Sequence, residues 1–254
     1  MKTISICIPT YEMKGWGHIF LKESFDVFLT QTFKDFEVVI SDHSKNNLIE
    51  DLCKSYQDRL SIKYVRNAEQ IGNYSFNLNN SIKNAGGKLI KILLQDDYLY
   101  GEGALEDIYK NFDLEKDFWL ITPCVHTKNR IDVFRPFYPK WNNRIHLGKN
   151  TLGSPTVLTF KNESPLLFDE KLIWFNDCDY YKRCFERFGF PKITKRLGVV
   201  IGVGDHQITH TLATEKLRKR EHEYMVAKYH ESNLENWKYS LRQFLKRLFY
   251  KFKC

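Results

Sequence analysis

Asp96 and Asp97 stand side by side at the end of the apolar run Leu89-Ile90-Lys91-Ile92-Leu93-Leu94, just before Tyr98-Leu99. The run predicts a buried strand, and Gly86-Gly87 ahead of it ends a preceding helix. Two carboxylates at the carboxyl end of such a strand lie where open α/β sheets bind ligands. They repel each other unless a cation or sugar hydroxyls share the site. Hard oxygen ligands of this kind suit Mg²⁺ or Mn²⁺ bridging a diphosphate. Alone, the pair also fits an exposed turn, so the rest of the chain must decide.

Elements able to position that pair alternate through the first half. Ile4–Ile8, Phe36–Ile40 and Ile62–Val65 read as strands. Between and after them, Ile19–Thr30, Leu48–Tyr56 and Tyr74–Asn84 carry helical patterns. This order implies an α/β fold with a doubly wound, mostly parallel sheet and helices on both faces. Beyond a helix at Leu105–Phe112 the order loosens. Trp119–Thr122 and Thr156–Phe160 read as strands around a polar, aromatic stretch, Asn129–Asn150, and a helix begins near Phe175. No internal repeat or low-complexity linker is visible. The expected division is a body over residues 1–213 and a basic amphipathic helical tail over 214–254.

A chain of 254 residues can bury a full core. Its 43% hydrophobic and 28% charged content is that of an ordinary globular protein. The formal charge of +8 is crowded toward the end, where Lys238, Arg242, Lys246, Arg247, Lys251 and Lys253 follow Asn236 with no acidic residue. The body is left near neutral, so no nucleic-acid partner is expected. The six cysteines are scattered without a C-x-x-C pair, which favours reduced thiols in the cytoplasm over a disulfide framework or a zinc site. The start, Met1 to Pro9, is broken too early to read as a signal peptide. No apolar run approaches the ~20 residues needed to span a bilayer.

Further pieces fall in order around the acidic pair. Ile8-Pro9-Thr10-Tyr11 ends the first strand and Ser41-Asp42 the second. Asn73-Tyr74-Ser75-Phe76-Asn77-Leu78-Asn79 opens a helix, and Gly153-Ser154-Pro155 precedes the late strand. Phe168-Asp169-Glu170 leads into Trp174-Phe175-Asn176-Asp177-Cys178-Asp179. Together, over roughly residues 3–210, these resemble the family 2 inverting nucleotide-sugar glycosyltransferases, which have the GT-A fold.

The resemblance implies an enzyme of the hexosyltransferase type and a role for each matching position. Thr10 and Tyr11 would line the nucleotide pocket, and Asp42 would accept hydrogen bonds from the base, most often uracil. Asn77 would border the nucleotide and sugar. Asp96 and Asp97 look like the acidic motif that holds the ribose and the metal–diphosphate, with Asp97 a ligand of Mg²⁺ or Mn²⁺. Asp177 looks like the catalytic base, although Asn176 replaces the Glu usual before it. As a reading of residues alone, Asp177 also fits a charge stabilising a helix N-terminus. Asp179, on another side of the helix, is the second choice. His206 falls where related bacterial enzymes carry a histidine near the diphosphate, as metal ligand or phosphate donor. His18, His43, His126 and His146 have no such context.

The resemblance also implies a nucleotide-sugar donor, with UDP the expected nucleotide, and a glycan or lipid-linked acceptor. Enzymes of this size with short basic tails commonly build surface polysaccharide such as O-antigen, capsule or lipopolysaccharide. In the tail, Leu241, Phe244, Leu245, Leu248 and Phe252 recur at helical spacing among basic residues, with Trp237 and Tyr239 suited to a headgroup interface. This predicts a peripheral helix on the anionic inner face of the cell membrane. The competing readings are weaker. A sugar nucleotidyltransferase would carry a Gly-rich basic loop where Pro9-Thr10-Tyr11-Glu12 stands, and a Rossmann dehydrogenase would carry G-x-G-x-x-G there. A non-catalytic nucleotide-sugar- or glycan-binding protein on a transferase fold would not be expected to keep Asp42, Asp96, Asp97 and Asp177 together.

Overall fold

A computed structural model describes residues 3–204 and 214–251. The apolar runs form the expected parallel ladder. β1 (Ile4–Thr10), β2 (Phe36–Asp42), β3 (Ile62–Arg66) and β4 (Leu89–Ile92) lie in the spatial order β3-β2-β1-β4. Every residue of β1 and β4 is buried, as a strand must be when helices cover both faces of a parallel sheet. Among the connecting helices, α1 (Gly17–Thr30) buries Leu21, Ser24, Phe25 and Phe28, and α2 (Leu48–Tyr56) buries Ile49, Cys53 and Tyr56. Each set makes one stripe at helical spacing. α3 (Tyr74–Lys83) is different, because Ser75, Asn77, Asn79 and Ser81 are buried beside Leu78 and Ile82. Polar groups survive there only with partners, and apart from Ser81, which bonds back to the Leu78 carbonyl, the partners are strand ends and loops.

β5 (Tyr98–Leu99) and α4 (Ala104–Asn111) come next, and β6 (Trp119–Ile121), β9 (Leu158–Lys161) and β10 (Lys192–Ile193) complete a seven-stranded sheet, β10-β6-β9-β4-β1-β2-β3. β9 runs antiparallel to both β4 and β6, so the sheet is mostly parallel with one reversed strand. What reads in the sequence as a loosened second half contains a second sheet that periodicity did not disclose. Its order is β5-β11-β7-β8, formed with β7 (Cys124–Thr127), β8 (Val133–Phe137) and β11 (Val199–Gly202). These strands have two to five residues, β8 is mostly exposed and the β7–β8 pairing is bulged. Segments that short carry no readable alternation.

The carboxyl-terminal helices are α5 (Asn176–Phe188), α6 (Glu215–Lys228) and α7 (Leu234–Lys251). Residues 214–254 were expected to form a tail, yet α6 is built into the body, with Met225 and Val226 buried. The buried Glu221 carboxylate accepts the backbone N–H groups of Ile173, Trp174 and Phe175 at 2.9, 2.8 and 3.0 Å. These three residues lead directly into α5, so α6 fixes where α5 begins. The start of α7 is tied down as well. Glu235 pairs with Arg144, Asn236 meets His222 at 3.0 Å, and Tyr239 stacks on the His222 ring at 4.1 Å. Tyr239 therefore belongs to the packed face and not to a headgroup interface. It lies two residues from Trp237, hence on the other side of the helix. Trp237, Leu241 and Leu245 are exposed.

Among the described residues no helix is long and apolar enough to cross a membrane. Cys7, Cys53, Cys124, Cys178 and Cys184 are buried free thiols. Replacing Glu221 with Ala strips three enclosed N–H groups of their acceptor. Glu221→Ala should lower unfolding stability by about 3 kcal/mol or more, read from urea denaturation, and a midpoint like that of the wild type would contradict the capping role.

Candidate active site

The acidic pair sits on the turn between β4 and β5, closed by the Asp97 N–H donating to the Leu94 carbonyl at 3.0 Å. The two carboxylates have different environments. Asp96 is partly exposed, whereas Asp97 is almost wholly enclosed. One Asp97 oxygen accepts the Gly202 N–H at 2.9 Å and the other accepts the Thr156 hydroxyl. Thr156 opens the approach to β9, and its hydroxyl also accepts the Leu94 N–H at 3.0 Å. Its carbonyl accepts from Lys91, whose ammonium is fully buried within β4. Burial, and then the Asp96 charge, push the Asp97 carboxyl above its ordinary range. Burial pulls Lys91 down to about 7 while Asp97 opposes that shift. Gly202 has to be glycine, since a Cβ there would lie 2.4 Å from the Asp96 carbonyl oxygen.

Gln95 fastens the end of β1 to this turn. Its side-chain amide accepts from the Tyr11 N–H and donates to the Tyr11 carbonyl, both at 3.0 Å. Tyr11 is 40% exposed, and burial followed by the Asp96 charge raises its hydroxyl pKa. Arg130, between β7 and β8, donates to the Asp96 carbonyl at 2.7 Å, pairs with Glu23 and lies over the Tyr98 ring at 4.8 Å. Burial lowers its guanidinium to about 10.

Thr10, Asp42 and Asn77 form a second, wholly enclosed group. Asp42 accepts the Thr10 hydroxyl at 3.2 Å, the Ser44 N–H at 2.9 Å and the Tyr64 hydroxyl at 2.8 Å, with Arg66 at 3.6 Å. Asn77 donates to the Thr10 carbonyl at 3.1 Å and accepts from Ser41 at 2.6 Å and Asn67 at 3.2 Å. The group joins the ends of β1 and β2 to α3. Its side chains brace this edge of the sheet from behind, while Tyr11 faces out.

Asp177 is on the first turn of α5 and partly buried. It accepts the Cys178 N–H at 2.6 Å and the Asn150 amide at 2.7 Å. Burial raises its carboxyl to about 6 against those hydrogen bonds, which lower it. The buried Asn176 donates to Ser75 at 3.5 Å. Asp179 has a different fate. It is enclosed between Arg183 at 2.7 Å, Lys228 at 2.6 Å and the Tyr229 hydroxyl at 2.8 Å, so it holds α5 to α6. Burial first, and then the charges of Asp177, Asp97 and Asp96, raise the pKa of the Tyr74 hydroxyl, which is within electrostatic reach of both acidic centres. His206 lies outside the described residues. His146 is a packing residue, 2.8 Å from Glu231.

Among the described residues no cluster of three or more His, Cys, Asp or Glu side chains is placed to hold a metal. Two carboxylates still fit a magnesium-type ion, which takes one or two of them and completes its shell with phosphate oxygens and water. The like-charge repulsion from Asp96 that adds to burial in raising Asp97 is what a bound cation relieves. The donor set therefore fits a divalent ion carried in with a diphosphate.

Several members of the site had not been singled out from the sequence. Lys91 offered a signal, as a charge inside an apolar strand. Gly202, Thr156, Asn150 and Glu221 offered none, because each acts through a partner at least 27 residues away.

Residues 5–161 match the family described as Glycosyl transferase family 2. An uncharacterized glycosyltransferase of Methanocaldococcus jannaschii is 28% identical over 193 residues, 71% of this chain and 64% of that protein. The minor teichoic acid biosynthesis protein GgaB of Bacillus subtilis is 27% identical over 163 residues, 63% of this chain and 16% of that protein. The chain thus spans less than two thirds of the length of these curated relatives. In fold it is similar to S. aureus TarS 1-349 in complex with UDP-GlcNAc, with a TM-score of 0.63 at 17% identity over 88% of this chain and 66% of that one. It is also similar to the mannosyltransferase PcManGT of Pyrobaculum calidifontis in complex with GDP-Man and Mn²⁺, with a TM-score of 0.57 at 17% identity over 80% and 57%. The family match covers more than half of the sequence, and the strand order and the acidic strand-end pair agree with it: this chain belongs to glycosyl transferase family 2 and has the GT-A fold.

Proposed function

We propose that the chain transfers a sugar from a nucleoside-diphosphate donor, with UDP as the nucleotide, to a hydroxyl of a glycan or lipid-linked acceptor, with inversion at the anomeric carbon. The observation that carries this reading is that one short segment holds both acidic centres, with Asn150 donating to Asp177 and Thr156 to Asp97, carboxylates about 80 residues apart in sequence. The UDP-GlcNAc and GDP-Man in the two similar structures support a nucleotide-sugar donor, and GgaB supports a surface-polysaccharide setting.

Asp177 is the base. With its carboxyl at about 6 it is ionised at neutral pH yet basic enough to take the proton of an attacking hydroxyl. Asn150 and the Cys178 N–H hold it in one orientation. The acceptor oxygen attacks the anomeric carbon from the face opposite the diphosphate, which gives inversion. Asp96 and Asp97 would hold a divalent ion, Mg²⁺ or Mn²⁺, which supplies positive charge against the departing diphosphate. Asp97 is the inner brace and Asp96 the outward carboxylate. Thr10, Asp42 and Asn77 set the shape of the nucleotide pocket, Tyr11 lines it, and His206 is a further candidate for the diphosphate.

α7 brings the site to an anionic membrane surface. Trp237 is 61%, Leu241 39% and Leu245 43% exposed, which leaves an apolar face beside basic residues. Basic residues at such a surface are worth about 1 kcal/mol each.

Three outcomes test the reading. Asp177→Asn should keep donor binding and lose about three orders of magnitude in turnover. Wild-type turnover should fall as pH drops through about 6, where Asp177 takes up a proton, and Asn150→Ala should shift that limb to higher pH by removing a bond that favours the anion. Near-normal turnover of Asp177→Asn, or a product that retains the donor's configuration, sinks the base assignment. In calorimetry, Asp96→Asn should lose the gain in donor affinity that Mn²⁺ brings, and an undiminished Mn²⁺ effect would remove the metal from this pair. Replacing Trp237, Leu241 and Leu245 together with Ser should abolish sedimentation with phosphatidylglycerol liposomes at unchanged melting temperature. If the variant still sediments like the wild type, α7 is not the membrane contact.

A further inference from the structure

Among the described residues, enclosed tyrosine hydroxyls other than that of Tyr74 have partners. Tyr56 donates to Asp26, Tyr64 to Asp42, Tyr180 to the Leu166 carbonyl and Tyr229 to Asp179. Among the described residues Tyr74 is the exception, with its hydroxyl oxygen enclosed and no hydrogen-bond partner. An enclosed polar group left unpaired is unusual and costly.

Its neighbours hold the residue rigidly in that position. Asn73 donates to the Glu170 carbonyl at 3.1 Å and Ser75 to the Leu172 carbonyl at 2.9 Å. Ser75 also accepts from Asn176, the residue before Asp177, at 3.5 Å. The first turn of α3 is thereby clamped to the segment that delivers the base. Burial and the charges of Asp177, Asp97 and Asp96 keep the Tyr74 hydroxyl protonated, so it retains a proton to donate. The hydroxyl stands in the space reached by the charges of Asp96 and Asp97, which mark the diphosphate side, and of Asp177, which marks the attacking side. In a displacement at an anomeric carbon, that space belongs to the sugar being transferred.

We infer that Tyr74 is a donor-sugar contact, its hydroxyl donating a hydrogen bond to a hydroxyl or ring oxygen of the transferred sugar and so helping to select that sugar. The inference rests on the nucleotide-sugar reading of the same site. It also separates a functional from a structural role by sign. A hydroxyl that serves the fold stabilises it, whereas an unpaired one kept for a ligand does not.

The test compares wild type and Tyr74→Phe, with Mn²⁺ present, by calorimetry against UDP, GDP, UDP-glucose, UDP-galactose, UDP-GlcNAc and GDP-mannose, together with thermal melting. Tyr74→Phe should melt at or above the wild-type temperature and bind the free nucleotide unchanged. It should lose about 3- to 10-fold in affinity for the nucleotide sugar that the wild type prefers, the worth of one neutral hydrogen bond. Equal affinity of both proteins for that nucleotide sugar overturns the inference. Equal weakening toward the free nucleotide overturns it too, by moving the contact to the diphosphate. A lower melting temperature with uniform weakening makes Tyr74 a structural residue. If the wild type binds none of the six, the nucleotide-sugar reading itself fails, and the inference fails with it.

Discussion

The Asp97 carboxylate is almost wholly enclosed at the end of β4, with the ammonium of Lys91 fully enclosed behind it. Burying charge is tolerated only where opposite charge and hydrogen bonds compensate. The compensation here comes from three separate segments: the strand's own lysine, the Thr156 hydroxyl and carbonyl at the entry to β9, and the Gly202 N–H at the end of β11. These segments must converge for the carboxylate to be stable. Their convergence ties the small sheet to the large one and fixes Asp96, the preceding residue, at the ligand-facing edge. The close approach of Gly202 to the Asp96 carbonyl is part of the same fit.

The opposite side of the site follows from helix geometry. Asp177 and Asp179 are two residues apart and so about 200° apart around α5. Asp179 turns inward to Arg183, Lys228 and Tyr229 and anchors the helix. Asp177 turns toward the site and receives only neutral donors, Cys178 N–H and Asn150. Burial, opposed only by neutral donors, raises its carboxyl to about 6. α6 secures both, through Glu221 ahead of α5 and through Lys228 and Tyr229 along it.

Between these sides, α3 buries Ser75 and Asn79 on one side and Asn77 and Ser81 on another, where an ordinary helix would be apolar. Asn77 joins the strand ends, Asn79 donates to the Phe168 carbonyl at 2.9 Å, and Ser75 reaches the approach to α5. The helix works as a polar hub, and the rigidity of its first turn is what makes the unpaired Tyr74 hydroxyl informative.

The sequence by itself determined the parallel half of the fold. Apolar runs β1 to β4 and the stripes of α1 and α2 are local patterns with one stable burial, so their periodicity could be read directly. It also marked the acidic pair, because two carboxylates closing an apolar strand are conspicuous, and it marked Asp177 through the order of neighbouring motifs. Tertiary structure alone decided the rest. It assembled the four-stranded sheet from strands too short to show a period, and it built α6 into the body through Glu221. It also turned Thr10, Asp42 and Asn77 into an enclosed brace. It set the different environments of Asp96 and Asp97, and of Asp177 and Asp179, residues of one type a step or two apart. The physical reason is that periodicity reports burial along one segment, whereas hydrogen-bond partners and pKa values depend on groups brought together from distant parts of the chain.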